Sequence, residues 1–393
     1  MGVLDGIRVL DFGTYIAGPY CAALLADLGA EVIRVDRVGG SEDRWVSPVT
    51  ADGTGAVYLQ CNRGKRGITL DLTKPAGRDV LTRLVATSDV VVANLPVQAL
   101  RSTGLDYETL RAIKSDIIVT TVNAWGSGGE WSDKVGFEAL AQASSGQIYL
   151  TGPPGSPTRA VASHTDFSTG MLAAMATLAA LMHRMRTGAG QLIEAALLRT
   201  AVTSNSTALI EESMLGLDRE SIHNRGHIMG PSDLFRTRDG WIMCTVIGSP
   251  QFRRWTEMID RRELFEDSRF QTDASRGEHG AALSAYMGAW CADRTTDECL
   301  SAMAKFKVPG GPVLSPREAL ELPHTQQIRA FEPVGYPTAS KPVPLVAFPV
   351  VMSASPGRIR CRAPQVGEHT DAVLSEIGYD AAGIVALRRA CAV

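Results

Sequence analysis

Residues 7–36 read IRVLDFGTYIAGPYCAALLADLGAEVIRVD, a stretch in which short apolar patterns flank a helical one. A short apolar strand pattern at 7–12 is followed by a helical pattern at 20–29 and a second strand pattern at 31–36. Two strands joined through a helix are parallel, and the crossover between them is right-handed. The stretch therefore predicts a βαβ unit at the start of the chain.

Strand and helix patterns continue to alternate after this unit. The sequence predicts strands at 69–73, 89–95 and 116–125 and a helix at 77–88. The run DVVVANL at 89–95 is apolar without alternation, which is typical of a strand covered on both faces. The N-terminal part of the chain is therefore predicted to be an α/β, Rossmann-like layer.

The rest of the chain suggests a second, smaller unit. A helix is predicted at 167–185, ended by the glycines of TGAG, and a strand follows in QLIEAAL. Turn-forming residues then dominate, followed by mixed strands and charged helices. We expect a large Rossmann-like domain from residues 1–217 and 330–393, and a small α+β domain from 218–329. The proline-punctuated stretch 332–350 is expected to wrap or link.

Composition limits the classes of function. The chain has 393 residues and a net charge of −3, which argues against a general nucleic-acid binder. Its seven cysteines show no CxxC pair and no metal-type spacing, which is typical of thiols in a reducing compartment. We see no signal-peptide pattern and no polar-free apolar run of membrane length. We therefore expect a cytoplasmic protein with no metal site and no membrane or nucleic-acid partner.

Asp166 stands at the head of an apolar helical pattern in which no further charge occurs before Arg184. One interpretation is an N-cap, because a carboxylate there accepts backbone N–H bonds and suits the helix dipole. The other is a nucleophile, because the same position keeps a partly buried carboxylate ionised, and such a carboxylate can attack a carbonyl. Both interpretations are compatible.

Histidines and a glycine loop offer weaker signals. His164 lies close enough in sequence to tune Asp166, whereas His183 falls inside the apolar pattern and is expected to pack or cap. The loop GTYIAGP with Asp36 after the next strand resembles a dinucleotide-binding turn, in which Asp36 would contact a ribose. The GxGxxG spacing is absent, however, so a nicotinamide enzyme is weakly supported.

Basic residues gather after the second predicted strand. They form either a solvated surface or a site for a phosphorylated ligand, since Arg offers bidentate contacts to phosphate. Spacing alone slightly favours the solvated surface. The residues are Arg34, Arg37, Arg44, Arg63, Lys65, Arg66 and Lys74.

Five ordered segments together resemble the family III CoA-transferases, also called the CaiB–BaiF family, which includes α-methylacyl-CoA racemase. They are LDGIRVLDFGTYIAGPYCAALLADLGAEVIRVDR, NRGKRGITLDLTKPAGRDVLTRLVATSDVVVAN, GFEALAQASSG, DFSTGMLAAMATLAALMHRMRTGAGQ and APQVGEHTDAVLSEIGYD. These segments extend from residue 4 to beyond 380, so the resemblance covers nearly the whole chain.

The resemblance implies a fold and a mechanism. Family members have a Rossmann-like large domain with a smaller domain, and two subunits interlock as a homodimer. The family's catalytic aspartate falls on Asp166, which would form aspartyl anhydride and aspartyl-CoA thioester intermediates while CoA moves between acids. CoA enters as the acyl-CoA substrate, and no metal is needed. Family CoA contacts fall on Ala17, Arg37, Leu70, Lys74, Asn94, Leu95 and Arg101, with Lys74 and Arg101 one residue away from the usual basic positions.

The resemblance leaves a transferase and a racemase to be separated. Racemases use a His and a Glu beside the substrate α-carbon, and these positions read Phe137 and Ser249 here. Neither side chain titrates usefully near neutral pH, which disfavours the racemase. Glu138 is interpreted as a supporting site residue, or otherwise as a surface helix charge. A silent CoA-binding scaffold is a third hypothesis, which the intact Asp166 disfavours.

Overall fold

The computed structural model describes residues 2–393 and contains three β-sheets with helices around them. The strands are β1 (Arg8–Asp11), β2 (Glu31–Asp36), β3 (Lys65–Thr69), β4 (Val90–Ala93), β5 (Ile118–Asn123), β6 (Leu192–Ala196), β7 (Ser232–Arg236), β8 (Trp241–Thr245), β9 (Gly310–Pro312), β10 (Phe331–Val334) and β11 (Val343–Val346). Strands β1 to β6 form one parallel sheet in the order β3-β2-β1-β4-β5-β6. This is the strand order of a Rossmann fold.

The helices cover the sheets. They are α1 (Ala17–Asp27), α2 (Ala56–Cys61), α3 (Pro75–Ala86), α4 (Val97–Thr103), α5 (Tyr107–Ile113), α6 (Glu138–Ser144), α7 (His164–Thr187), α8 (Leu197–Ser204), α9 (Ser206–Leu215), α10 (Ser249–Met258), α11 (Asp273–Glu278), α12 (Gly280–Ala292), α13 (Thr296–Phe306), α14 (Pro316–Glu321), α15 (Pro323–Gln327), α16 (Thr370–Glu376) and α17 (Ala381–Arg389). Short 3-10 helices lie at Glu42–Trp45, Arg262–Phe265 and Ser268–Phe270.

The chain folds into two units, each with its own interior. The first comprises residues 2–145, 160–206 and 324–393, and the second comprises 146–159 and 207–323. The second unit starts at 207, where the sequence suggested 218, and it also includes 146–159, which no sequence pattern assigned to it.

The parallel sheet of the first unit is buried on both faces, as the apolar run at 89–95 predicted. Val90 and Val92 face a core that includes α1 and α7, whereas Val91 and Ala93 face a core that includes α3, α5, α16 and α17. Successive side chains of a strand point to opposite faces, so an uninterrupted apolar run is what this position requires. The predicted βαβ unit at the start of the chain is confirmed.

Two predicted segments differ from the structure. The strand predicted at 69–73 is β3, which ends at Thr69, because Asp71 accepts hydrogen bonds from the backbone and hydroxyl of Thr73 and turns the chain away. The stretch predicted to wrap or link contains the antiparallel pair β10 and β11. Leu345 of β11 is buried with Tyr58 and Leu59.

The second unit has its own core. An antiparallel sheet in the order β7-β8-β9 packs with α10, α12 and α13. Phe252, Trp255 and Phe270 are fully buried at its centre.

Candidate active site

The candidate residues collect at the carboxyl edge of the parallel sheet, where ligands of such folds bind. The switch point of the strand order lies between β1 and β4. From β1 the chain adds β2 and β3 on one side, and it then returns to add β4, β5 and β6 on the other side. Asn94 follows β4 and fastens the loop after β1. Its Oδ1 accepts the Thr14 N–H at 2.6 Å, and its Nδ2 donates to the Thr14 carbonyl at 2.7 Å.

The residues expected to contact CoA lie along this edge. Ala17 begins α1 after β1, Leu70 follows β3, and Leu95 follows β4 beside Asn94. Ala17 and Leu70 are buried, so they shape the edge through their backbone and bulk. That these residues bind CoA stays a prediction.

Of the three basic members of that set, Arg37 and Arg101 are exposed and Lys74 is half-buried. Arg37 follows β2 and pairs at 3.1 Å with Glu42, in a contact that solvent surrounds. Lys74 donates to the carbonyls of Ala390 and Cys391 at 2.8 and 3.0 Å, and Arg101 lies in α4. Arg37 and Arg101 are thus open to an anionic ligand, whereas the Lys74 ammonium also satisfies the end of α17.

Most of the basic cluster is neither a solvated surface nor a phosphate site. Arg34 and Lys65 are fully buried, and Arg44 is buried beside them. The charges of these three cations are balanced by three buried carboxylates, those of Asp11, Asp36 and Asp43. The pairs are Arg34–Asp36 at 2.7 Å, Arg34–Asp43 at 3.1 Å, Arg44–Asp36 at 2.8 Å and Lys65–Asp11 at 2.7 Å. Arg63 separately pairs with Asp27 at 2.7 Å, and Arg66 with Glu31 at 2.7 Å and Glu376 at 2.8 Å. Paired burial is the usual way in which a protein interior tolerates charge.

This network also removes Asp36 from the surface. Its carboxylate receives Arg34, Arg44 and the Ser41 hydroxyl, the last at 2.8 Å. Asp36 is 2% exposed, so the ribose contact suggested by the loop pattern is wrong.

Asp166 lies in the first turn of α7 rather than at its N-cap. The helix begins at His164, and Ser163 occupies the cap position. A Cβ placed on Gly170, one turn later, would lie 2.8 Å from the Ala17 carbonyl oxygen, so glycine lets α7 approach the start of α1. Phe167 packs edge-on against Tyr20, with ring centroids 4.9 Å apart. These contacts fix the Asp166 turn beside the loop after β1.

Glu138 is buried and is not a surface charge. It is 8% exposed and begins α6. Its Oε1 accepts the Thr165 backbone N–H at 3.3 Å and a hydrogen bond from Gln142 Nε2. Glu138 thus satisfies a free N–H at the start of α7, one residue before Asp166.

Burial, and to a lesser extent the nearby Glu138 carboxylate, raise the pKa of Asp166 to about 7. The helix N-terminus therefore does not hold the pKa of this partly buried carboxylate at its ordinary value, and Asp166 is only partly ionised at neutral pH. Two carboxyl groups close together in a partly desolvated site resist simultaneous ionisation. A carboxyl that titrates near neutrality is a feature of functional sites.

The two histidines differ in their relation to the site. His164 Nδ1 lies 4.0 Å from Glu138 Oε1, so it is near the carboxylate pair. His183 is exposed, so its predicted packing role is wrong. Among residues 2–393, no group of three or more His, Cys, Asp or Glu side chains could hold a metal ion.

Helix α7 is apolar but only one of its faces is buried in this chain. By length and composition alone it could cross a membrane, yet Ala173, Ala180 and Leu181 belong to the core on one face of the sheet. Its opposite face exposes Met175, Met182 and Met185. The helix is therefore a core helix with an uncovered apolar face.

Tyr15 is a feature of the site that the sequence did not reveal. It lies in the loop after β1 with φ of +62°, a conformation that residues other than glycine seldom adopt. Its N–H donates to Asp43 Oδ2 at 3.2 Å, and its ring meets Phe137 edge-on with centroids 6.1 Å apart. The loop GTYIAGP carried no signal for this, because its glycines are the residues expected to adopt positive φ.

The fold and the site together define an α/β enzyme with a half-buried carboxylate at the switch-point edge of its sheet. The model of CoA-transferase family III matches residues 4–370, and the chain belongs to this family. It is 33% identical over 384 residues to the succinate–glutarate CoA-transferase of Agrobacterium fabrum, covering 95% of each chain. It is 31% identical to the succinyl-CoA–D-citramalate CoA-transferase of Chloroflexus aurantiacus, covering 95% of this chain and 94% of that one. A crystal structure of a CaiB/BaiF family protein from Brucella suis matches with a TM-score of 0.83 and 29% identity, over 96% of this chain and 99% of that one.

These relatives support an enzyme of the CoA-transferase class, whose substrates are CoA thioesters. They do not favour the racemase. In agreement, Ser249 begins α10, where its hydroxyl accepts a hydrogen bond from Arg276 at 3.0 Å, and Phe137 offers only a ring.

Proposed function

We propose that this enzyme moves CoA from an acyl-CoA donor to a free carboxylic acid, with Asp166 as the covalent nucleophile. The observation that carries the proposal is the Asp166 carboxyl itself, fixed in the first turn of α7 and titrating near neutrality. At pH 7 and above a large fraction of this carboxyl is ionised, and poor solvation favours its attack on a carbonyl.

The reaction proceeds in four exchanges. An Asp166 oxygen attacks the thioester carbonyl and the C–S bond breaks, which gives a mixed anhydride and CoA thiolate. The thiolate attacks the Asp166 carbonyl carbon and expels the donor acid, which leaves an aspartyl-CoA thioester. The acceptor carboxylate attacks the same carbon and expels thiolate, and the thiolate then attacks the acceptor's carbonyl. The last step releases the new acyl-CoA and restores Asp166.

Each exchange replaces one anion by another, so the sequence of steps consumes no proton. General acid–base groups are therefore unnecessary, which agrees with Phe137 and Ser249 at the two racemase positions. Glu138 serves as a positioning residue, since it binds the Thr165 N–H and sets the charge environment of Asp166.

CoA is proposed to lie along the carboxyl edge of the sheet. Arg37 and Arg101 would meet its phosphates as exposed cations, with Lys74 nearby, while Leu70, Asn94, Leu95 and Ala17 would line its path. Replacing Arg37 with alanine should raise the KM for the acyl-CoA. The difference in KM between variant and wild type should be smaller at high salt, because salt screens an exposed cation. An unchanged KM would remove Arg37 from the CoA site.

We further propose that the enzyme is a cytoplasmic homodimer whose subunits interlock and which needs no metal, membrane or nucleic acid. The exposed methionines of α7 support a covering partner, since contiguous apolar surface marks interaction sites. Analytical ultracentrifugation tests this directly. A fully active monomer would contradict it.

One experiment separates the candidate activities. The purified protein is incubated in D2O with a panel of acyl-CoAs, with and without free carboxylic acids, and the products are read by mass spectrometry. The names of the two relatives make succinyl-CoA the first donor to test, with glutarate as the first acceptor. We expect new acyl-CoA species only when acids are present.

Either of two outcomes would overturn the proposal. Deuterium entering the α-position of a 2-methylacyl-CoA without an acceptor would indicate an isomerase. No new acyl-CoA with any acid, together with unchanged CoA binding in an Asp166→Ala variant, would indicate a silent scaffold.

A further inference from the structure

We propose that Tyr15 is a specificity-determining residue, whose ring forms with Phe137 an aromatic wall for the acyl group next to Asp166. The inference rests on the proposed CoA transfer and assigns one further residue to its acyl-binding site.

Two independent chains of contact link the loop that carries Tyr15 to the first turn of α7, which carries Asp166. In the first, the Tyr15 ring touches Phe137, the next residue Glu138 binds the Thr165 N–H, and Asp166 follows. In the second, Ala17 lies two residues after Tyr15, and its carbonyl faces Gly170, one turn after Asp166. Both chains lead from the loop after β1 to the first turn of α7.

Buried charged side chains, Asp43 and Arg34, hold the backbone conformation of Tyr15. Asp43 receives the Tyr15 N–H at 3.2 Å while both of its oxygens accept from the Arg34 guanidinium, at 3.1 and 3.2 Å. Arg34 also donates to the carbonyl of Gly13 in the same loop. Arg34 and Asp43 are both fully buried, so neither is free to move. The network therefore keeps a tyrosine in a left-handed conformation that costs energy for any residue with a Cβ.

The Tyr15 ring does not lie in the hydrophobic core. Tyr15 is 37% exposed and Phe137 is 60% exposed, although Glu138 beside Phe137 is buried. A strained backbone that presents a partly exposed aromatic ring against Phe137, rather than in the core, is the arrangement expected of a substrate contact. An apolar wall there would pack against the acyl chain and exclude water from the anhydride.

Tyr15→Gly tests the wall without disturbing the fold, because glycine adopts the same positive φ without strain. The matched control is Asp260→Gly, at another non-glycine position with φ of +54° in the second unit. Tyr15→Phe keeps the ring and removes only the hydroxyl. For each protein, kcat/KM is measured with a series of straight-chain acyl-CoAs of increasing length and one fixed acceptor acid.

We expect Tyr15→Gly to lose about 10- to 100-fold in kcat/KM with the donor that the wild type prefers, as for a misplaced reacting group. The loss should shrink with longer acyl chains, which can occupy the vacated space. Tyr15→Phe and Asp260→Gly should retain the wild-type profile.

The inference would be overturned if Tyr15→Gly kept the wild-type kcat/KM at every chain length. It would also be overturned if kcat/KM fell by the same factor at every chain length. Both results require an active wild type. A wild type that transfers CoA to no acid would instead refute the proposed function.

Discussion

Asparagine in place of Asp166 removes one charge from the site and keeps nearly the same shape. The pKa of this carboxyl is about 7 in the folded protein against an ordinary value of 3.8. A carboxyl whose folded pKa is raised favours folding in its protonated form. The wild type should therefore lose stability as the pH rises from about 4 to about 7, and the loss should then stay constant.

The size of the effect follows from the shift. A rise of the pKa from 3.8 to about 7 corresponds to about 4 kcal/mol of unfolding free energy at full ionisation. At pH 5 the unfolded chain is largely ionised and the folded site is not, so about 1 to 2 kcal/mol is already lost there. Relative to wild type, Asp166→Asn should thus gain about 2 to 3 kcal/mol more at pH 8.5 than at pH 5.

Urea unfolding followed by circular dichroism at both pH values measures this difference, with both proteins at one concentration so that any subunit dissociation affects them equally. The variant should be inactive as well as more stable at pH 8.5, which is the trade-off expected when a desolvated charge is kept for function. Equal pH dependence of the two proteins would refute the raised pKa and the burial argument behind it.

Three further predictions concern the surroundings of the nucleophile. Glu138→Gln removes the neighbouring negative charge and should lower the pKa of Asp166, so the acidic limb of the pH profile of kcat/KM, expected near pH 7 in the wild type, should move to lower pH. An unmoved limb would mean that Glu138 does not set the pKa of Asp166. Gly170→Ala should cost about 1 to 3 kcal/mol of unfolding free energy, because its Cβ would meet α1. Gly288→Ala in α12, where there is open space around the Cβ, should be neutral or stabilising, and equal effects of the two substitutions would contradict the close helix approach. Lys65→Met should cost about 3 to 5 kcal/mol in the same denaturation assay, since its fully buried ammonium neutralises a buried carboxylate; a loss below about 1 kcal/mol would show that the network does not depend on it.

The fold could be predicted wherever local pattern and tertiary position agree. The apolar run at 89–95 is buried on both faces because β4 lies at the centre of the sheet, and the glycines at 188 and 190 end α7 where the sequence indicated. The start of α7 was placed too late, since the polar residues His164 and Thr165 hide the first helical turn.

The charges of the site could not be predicted, because their partners come from distant parts of the chain. Arg34 and Lys65 look like scattered surface charges in sequence, and only the sheet brings Asp11 and Asp43 to them. The sequence could not decide between a supporting site residue and a surface charge at Glu138 for the same reason, since its partner Thr165 lies in α7.

If CoA passes through a covalent bond to Asp166, tryptic mapping of the trapped enzyme will locate that bond. Cleavage after Lys134, Arg159 and Arg184 leaves Glu138 as the only acidic residue of peptide 135–159 and Asp166 as the only acidic residue of peptide 160–184.

The protein is incubated with a donor acyl-CoA without acceptor, quenched with hydroxylamine, digested and analysed by mass spectrometry. We expect a hydroxamate on peptide 160–184 in the wild type and none in Asp166→Asn. Turnover without modification of this peptide, or modification of peptide 135–159 instead, would contradict this expectation.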